Sequence, residues 1–151
     1  MRTIICSALL WAFPILSFAG SEEAVTRYGK VSVRQSGPDE KALFIERTKL
    51  PISDYLVAVE RKLEIGERDV LFVSTGSGGN ACPAMYVFVV LERGSATVSE
   101  PFGNCSDLPK LTRAGDRVMV EFPGRPKLST TLEGLKLTDG KKTLKMLPVR
   151  F

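Results

Sequence analysis

Short stretches in which polar and apolar residues alternate recur along this chain, and they restrict it more than any other feature to an all-β fold. Residues 30–34 (K-V-S-V-R) and 117–122 (R-V-M-V-E-F) have the two-residue period of half-buried strands. Residues 85–91 (M-Y-V-F-V-V-L) are apolar on both faces, which predicts the central strand of a sheet. Gly, Pro and Asp residues separate such stretches at short spacing, so we expect a single antiparallel β-sandwich or small β-barrel with one disulfide. The pattern leaves sandwich and barrel open.

Further segments extend this pattern. Residues 42–45 and 69–73 are short β-type runs, and residues 135–146 form a predicted hairpin around Asp139-Gly140, because Gly accepts the positive φ that a tight turn requires. Residues 53–63 suit either a helix or a strand. Their β-branched residues and an early stop at Gly66 favour a strand.

The N-terminus has the pattern of a secretory signal. A short start with one basic residue, Arg2, precedes a nearly continuous apolar run over residues 4–13, and Ser17 and Ala19 supply small residues before a cleavage site. The run has roughly half of the ~20 residues that a membrane span needs. We therefore predict a signal peptide over residues 1–19 and a single β-rich domain over residues 20–151, with no transmembrane segment in the mature chain. The predicted localisation is periplasmic or secreted.

Removal of the signal peptide takes Cys6 with it and leaves an even number of cysteines, Cys82 and Cys105, for an oxidising compartment. If Arg93-Gly94 is a two-residue hairpin turn, opposed residues have numbers that sum to 187, and Cys82 then faces Cys105. Cross-strand neighbours have Cβ atoms about 4.5–5.5 Å apart, close to what a disulfide requires. Pro83 and Pro101 lack backbone donors, so we also expect a bulge or a splayed end near the bridge.

Such a disulfide would join two polar loops into one surface, which is the predicted binding site. The first loop contains Ser77, Gly78, Gly79 and Asn80, but no helix follows it as a phosphate-binding loop requires. The second contains Phe102, Asn104 and Asp107. Exposed loops on a rigid sheet often carry binding, although turn residues around a bridge would look the same.

Composition narrows the classes of function. The chain has no histidine, which removes the usual general base and the commonest metal ligand, so we predict no catalytic residue, no metal site and no cofactor. The formal charge of +4 falls to +3 without Arg2, and no Lys/Arg run forms a phosphate track, so nucleic acid is not an expected partner.

Two resemblances rest on residues near the cysteines. Residues 78–83 (G-G-N-A-C-P), followed by residues 86–89 and 102–107 (F-G-N-C-S-D), resemble small exported proteins of Gram-negative bacteria, which implies a location and no activity. Residues 75–78 (T-G-S-G) and Tyr86 are also similar to the periplasmic inhibitors of c-type lysozymes, which are small β-barrels with a disulfide. The chain departs from those inhibitors in spacing, in Cys82-Pro83 and in its basic charge. This second resemblance adds Tyr86 to the predicted binding residues.

Three classes of function follow. We expect a non-enzymatic binding module with a protein partner in the cell envelope, such as an inhibitor or an immunity-type protein acting on an envelope-directed hydrolase or toxin. One alternative is a structural or stress-tolerance component of the envelope that binds anionic lipid or peptidoglycan. The other is an enzyme that works without histidine.

Overall fold

A computed structural model describes residues 21–124 and 128–151, and in this part of the chain there are fourteen strands and no helix. The predicted signal peptide, residues 1–19, lies outside the described residues. No helix in the described part could span a membrane. The strands, numbered in chain order, are β1 Glu23–Thr26, β2 Gly29–Gly37, β3 Glu40–Ile45, β4 Thr48–Asp54, β5 Leu56–Ile65, β6 Arg68–Gly76, β7 Met85–Glu92, β8 Ser95–Ser99, β9 Lys110–Ala114, β10 Arg117–Phe122, β11 Leu128–Glu133, β12 Lys136–Asp139, β13 Lys142–Leu144 and β14 Met146–Arg150.

The strands form three antiparallel sheets, which confirms the predicted all-β class. The first sheet has the order β1-β2-β3-β4, the central sheet β14-β8-β7-β6-β5, and the third sheet β13-β12-β11-β10-β9. Residues 53–63 are strand, as favoured, but the segment breaks at Tyr55, where the chain leaves the first sheet and enters the central one.

The central sheet buries both of its faces. Along β7, Val87, Val89 and Leu91 belong to a core shared with the first sheet, whereas Tyr86, Phe88 and Val90 belong to a second core shared with the third sheet. Successive side chains of a strand point to opposite faces, so a run without alternation requires an apolar neighbour on each side. The three sheets therefore stack as layers, with β7 in the middle as its apolar run predicted.

Two hairpins test the register arguments. Val89 pairs with Val98 and Glu92 with Ser95, so the predicted turn at Arg93-Gly94 is confirmed. The predicted C-terminal hairpin forms from β12 and β13, but Asp139 pairs with Lys142, which places Gly140 and Lys141 in the turn. Gly140 has the positive φ of 58° that the turn demands.

Candidate functional site

The predicted disulfide is present at one end of the central sheet, with the Cα atoms of Cys82 and Cys105 4.6 Å apart. The ladder does not reach it in the predicted register. Tyr86 bridges to Phe102, one residue out of step with Val89 and Val98. An extra residue on the second strand near Pro101 causes this slip, and the Ser99 hydroxyl accepts the Phe88 N–H at 2.9 Å. The expected irregularity is thus confirmed, and the bridge joins two loops beyond the ladder.

The first of these loops begins at the end of β6, where the backbone at Gly76 lies close to the backbone of Pro83. A Cβ on Gly76 would lie 2.6 Å from the carbonyl oxygen of Pro83, so only glycine fits there without movement. Gly78 has a φ of +76°, and the space a side chain would fill is taken by the ring of Tyr55. Ser77, Gly79 and Asn80 are exposed beside it, as a contact loop requires.

The second loop is fixed by its own polar groups. The Asn104 side-chain amide donates to the Pro123 carbonyl at 2.7 Å, which ties this loop to the end of β10, and its carbonyl accepts from the Ser106 N–H at 3.2 Å. The Ser106 hydroxyl accepts from the Leu108 N–H at 3.2 Å. Asn104 and Asp107 remain exposed, so both predicted loops present side chains to solvent.

Tyr86 and Phe102, the two aromatic members of the predicted site, lie inside the second core. Each is 2 % exposed. Tyr86 stacks on Phe72 with ring centroids 4.8 Å apart, and Phe102 stacks on Phe88 at 5.3 Å. Such rings support the loops from beneath, and a partner at the surface would not reach Phe102.

A groove of about 630 Å³ opens beside these loops. The Ser74 hydroxyl on its floor donates to Glu60 at 2.5 Å, and the Tyr86 hydroxyl donates to the Ser106 carbonyl at 3.0 Å. Burial, together with the negative charges of Glu60 and Asp107, raises the pKa of Tyr86. The groove is lined by Glu60, Arg61, Phe72, Ser74, Ala84, Tyr86, Asp107, Leu108, Pro109, Lys110 and Leu111.

Three large apolar side chains on this end are exposed and were missed from the sequence: Tyr55 at 51 %, Leu56 at 48 % and Leu108 at 72 %. The sequence gives a weak indication that one of Tyr55 and Leu56 is exposed. Adjacent strand residues point to opposite faces, so the two side chains cannot both enter one core. For Leu108 the sequence gives no such indication, since a single leucine in a polar loop is equally compatible with burial in the core and with exposure. We call the disulfide end the surface formed by Tyr55, Leu56, residues 76–83 and residues 102–108.

A larger cleft, about 990 Å³, lies at the other end of the central sheet, where turns from all three sheets meet. None of the predicted site residues lines it. Two of its arginines are already paired: Arg27 with Asp69, and Arg68 with Glu92. We therefore treat the smaller groove and the disulfide end as the candidate site.

No group of three or more Cys, Asp or Glu side chains within residues 21–124 and 128–151 is placed to hold a metal ion.

One comparison with known proteins found a matching family model. A family model described as the Y4bG N-terminal domain, a domain of uncharacterised bacterial proteins, matches residues 28–132. That match spans the buried residues of the first core, most of those of the second core and the whole disulfide end, but not Leu137 and Leu144 of the second core. No curated protein and no solved structure matches significantly.

Proposed function

This chain belongs to the Y4bG N-terminal domain family, and on that premise we propose that it is an exported, non-enzymatic binding module. Its partner would be a protein of the cell envelope, contacted through the disulfide end. Because the family name assigns no activity, the proposal rests on the geometry of this chain.

The observation that carries the proposal is the exposure of Tyr55, Leu56 and Leu108 beside loops that are held rigid. These are three of the seven large apolar side chains that the described residues expose. Binding interfaces gain most of their free energy from a few apolar or aromatic anchors, and they lose less entropy when the loops around the anchors are already ordered. The disulfide and the Asn104 hydrogen bonds supply that order.

Export is the second part of the proposal. A disulfide between Cys82 and Cys105 is expected to persist in an oxidising compartment, which agrees with the signal peptide predicted over residues 1–19. The resemblance of residues 78–83 and 102–107 to exported Gram-negative proteins supports the periplasm as that compartment.

Inhibition of, or immunity to, an envelope-directed hydrolase or toxin is the mode we propose for the contact. A small rigid domain can occlude an active site with one loop and needs no catalytic groups of its own. The exposed Ser77–Asn80 loop, flanked by Tyr55, is the element suited to that task.

Affinity capture from envelope extract tests the proposal. The tagged wild type should retain a partner that the variant Leu56→Ser/Leu108→Ser loses. The control Val25→Ser/Met119→Ser, which also removes two exposed apolar side chains but on other strands, should keep it. Equal capture by all three proteins would contradict the proposed surface. Turnover of an envelope substrate that is abolished by Glu60→Gln would favour the enzyme alternative instead.

A further inference from the structure

Charge is distributed unevenly along the chain. Residues 20–107 contain ten Lys/Arg and thirteen Asp/Glu, whereas residues 108–151, which form the third sheet and β14, contain ten Lys/Arg and four Asp/Glu. The modest net charge of the whole chain therefore hides an acidic part and a strongly basic part. Such segregation creates a local field that the total does not reveal.

The basic part is densest on the hairpin of β12 and β13. Lys136, Lys141, Lys142 and Lys145 lie on this hairpin or directly after it, and all four are exposed. We call these four residues the lysine edge, because β13 is the edge strand of the third sheet. The one acid between them, Asp139, accepts a hydrogen bond from the Thr130 hydroxyl at 2.9 Å.

The lysine edge differs in its salt bridges from the lysines of the first and central sheets. In the first and central sheets, Lys30, Lys41, Lys49 and Lys62 each pair with a glutamate. No lysine of the lysine edge forms a salt bridge with any residue in the described part of the chain. Four exposed ammonium groups on one hairpin thus lack a salt-bridge partner among the described residues, although Glu133 and Asp139 lie opposite Lys136 and Lys142 in the strand pairing.

An exposed leucine lies next to this edge. Leu135, in the turn before Lys136, is 41 % exposed. Lysines beside an exposed aliphatic side chain suit the boundary between anionic headgroups and acyl chains.

We propose that the lysine edge, with Leu135, is a docking surface for an anionic phospholipid bilayer. Lysine is a point charge with no fixed fork of donors, so it suits a fluid array of headgroup phosphates better than one base or sugar at a set position. Single-stranded nucleic acid would call for exposed aromatic rings to stack on, and the exposed large apolar side chain next to this edge is aliphatic. The site lies on a different sheet from the disulfide end and is independent of the function proposed for that end.

Vesicle co-sedimentation tests this surface. Purified wild-type protein should sediment with vesicles of phosphatidylglycerol and phosphatidylcholine and should not sediment with phosphatidylcholine alone. Each lysine near such a surface is worth roughly fivefold in affinity, so Lys136→Gln/Lys141→Gln/Lys142→Gln/Lys145→Gln should weaken binding by about a hundredfold or more. Raising the salt from about 50 mM to about 500 mM should also release the wild type.

The matched control is Lys30→Gln/Lys41→Gln/Lys49→Gln/Lys62→Gln, which removes the same number of charges from lysines that have partners. It should bind the vesicles within about twofold of the wild type, and circular dichroism should show that both variants are folded. Equal weakening in both variants would overturn the assignment to the lysine edge. Wild type that ignores the anionic vesicles at low salt, or that binds a DNA duplex but not the vesicles, would overturn the lipid proposal.

Discussion

Arg27 and Asp69 join the first sheet to the central sheet. The Asp69 carboxylate, whose side chain has no exposed surface, accepts hydrogen bonds from the backbone N–H and the Nε of Arg27, each at 2.7 Å. The remaining guanidinium nitrogens donate to the carbonyls of Gly66 and Arg68. The buried carboxylate is tolerated because each of its two oxygens accepts a hydrogen bond from Arg27.

Replacing Arg27→Ala should therefore destabilise the fold, because it leaves a buried charge without its main partner. We expect a loss of about 2–3 kcal/mol in the free energy of unfolding, less than for a fully buried pair since Arg27 is 39 % exposed. Urea denaturation measures it. Arg117→Ala, which breaks an exposed pair with Glu133, should cost no more than about 1 kcal/mol. Equal losses in the two variants would contradict a special role for Arg27.

Gly76→Ala should destabilise the disulfide end, because the new Cβ would lie 2.6 Å from the Pro83 carbonyl oxygen. Forced movement of that backbone should cost about 1–3 kcal/mol. Gly79→Ala is the matched control: its Cβ would meet nothing closer than 3.9 Å, and the change should stay within about 0.5 kcal/mol. Thermal unfolding of both variants checks the difference, and a Gly76 variant as stable as the Gly79 variant would refute the close contact.

Removing the disulfide should cost about 3 kcal/mol, since the bridge closes a loop with a sequence separation of 23 residues in the unfolded chain. Guanidinium denaturation of Cys82→Ser/Cys105→Ser measures the loss. Wild type in a reducing buffer should match the double variant. If reduction left the wild-type midpoint unchanged, the bridge would contribute nothing to stability.

Tyr86 should remain protonated in the folded protein at pH values where an unfolded tyrosine ionises. Its pKa is raised in the native state, so folding favours the protonated form, and stability should fall as pH rises above about 10, the value in the unfolded chain. Phenolate absorbance of the wild type minus that of Tyr86→Phe reports this group. The difference should appear only together with unfolding. A separate step near pH 10 in the native protein would show that the hydroxyl is accessible to solvent.

Local patterns were enough for most of the strands that pack on a core. The both-face apolar run of β7 and the turn at Arg93-Gly94 placed the middle of the central sheet and its register. Sequence reasoning missed β1, β9, β11 and β14. Of these, β1, β9 and β14 are edge strands with little buried surface, and Pro148 in β14 is tolerated only at such an edge. β11 lies inside the third sheet, but it has only two apolar residues, Leu128 and Leu132, too few for an alternating pattern. Sequence reasoning also missed that the layers number three, since pairing between distant strands such as β8 and β14 leaves no local signature.

At the candidate site, the two loops and the disulfide could be identified from the sequence. The sequence did not distinguish the side chains that the loops expose from the aromatic side chains that pack in the core beneath them. Phe102 and Tyr86 lie within the same short stretches as the exposed residues, yet their rings enter the core. Burial of an aromatic residue beside a loop depends on which sheet covers it, and the third sheet is distant in sequence. The exposure of Tyr55 and Leu108 was missed for a related reason. An apolar side chain stays exposed when no other element of the fold covers it, and the local sequence does not indicate this.

Site-specific photo-crosslinking in the cells that make the protein tests the central claim, contact through the disulfide end, most directly. A benzophenone amino acid would be placed at Ser77 or Leu108 in the two loops and, as controls at exposed positions of β1 and β10, at Val25 or Met119. The account predicts one discrete protein adduct from positions 77 and 108 and none from positions 25 and 119. Adducts from the control positions alone, or from no position, would contradict it.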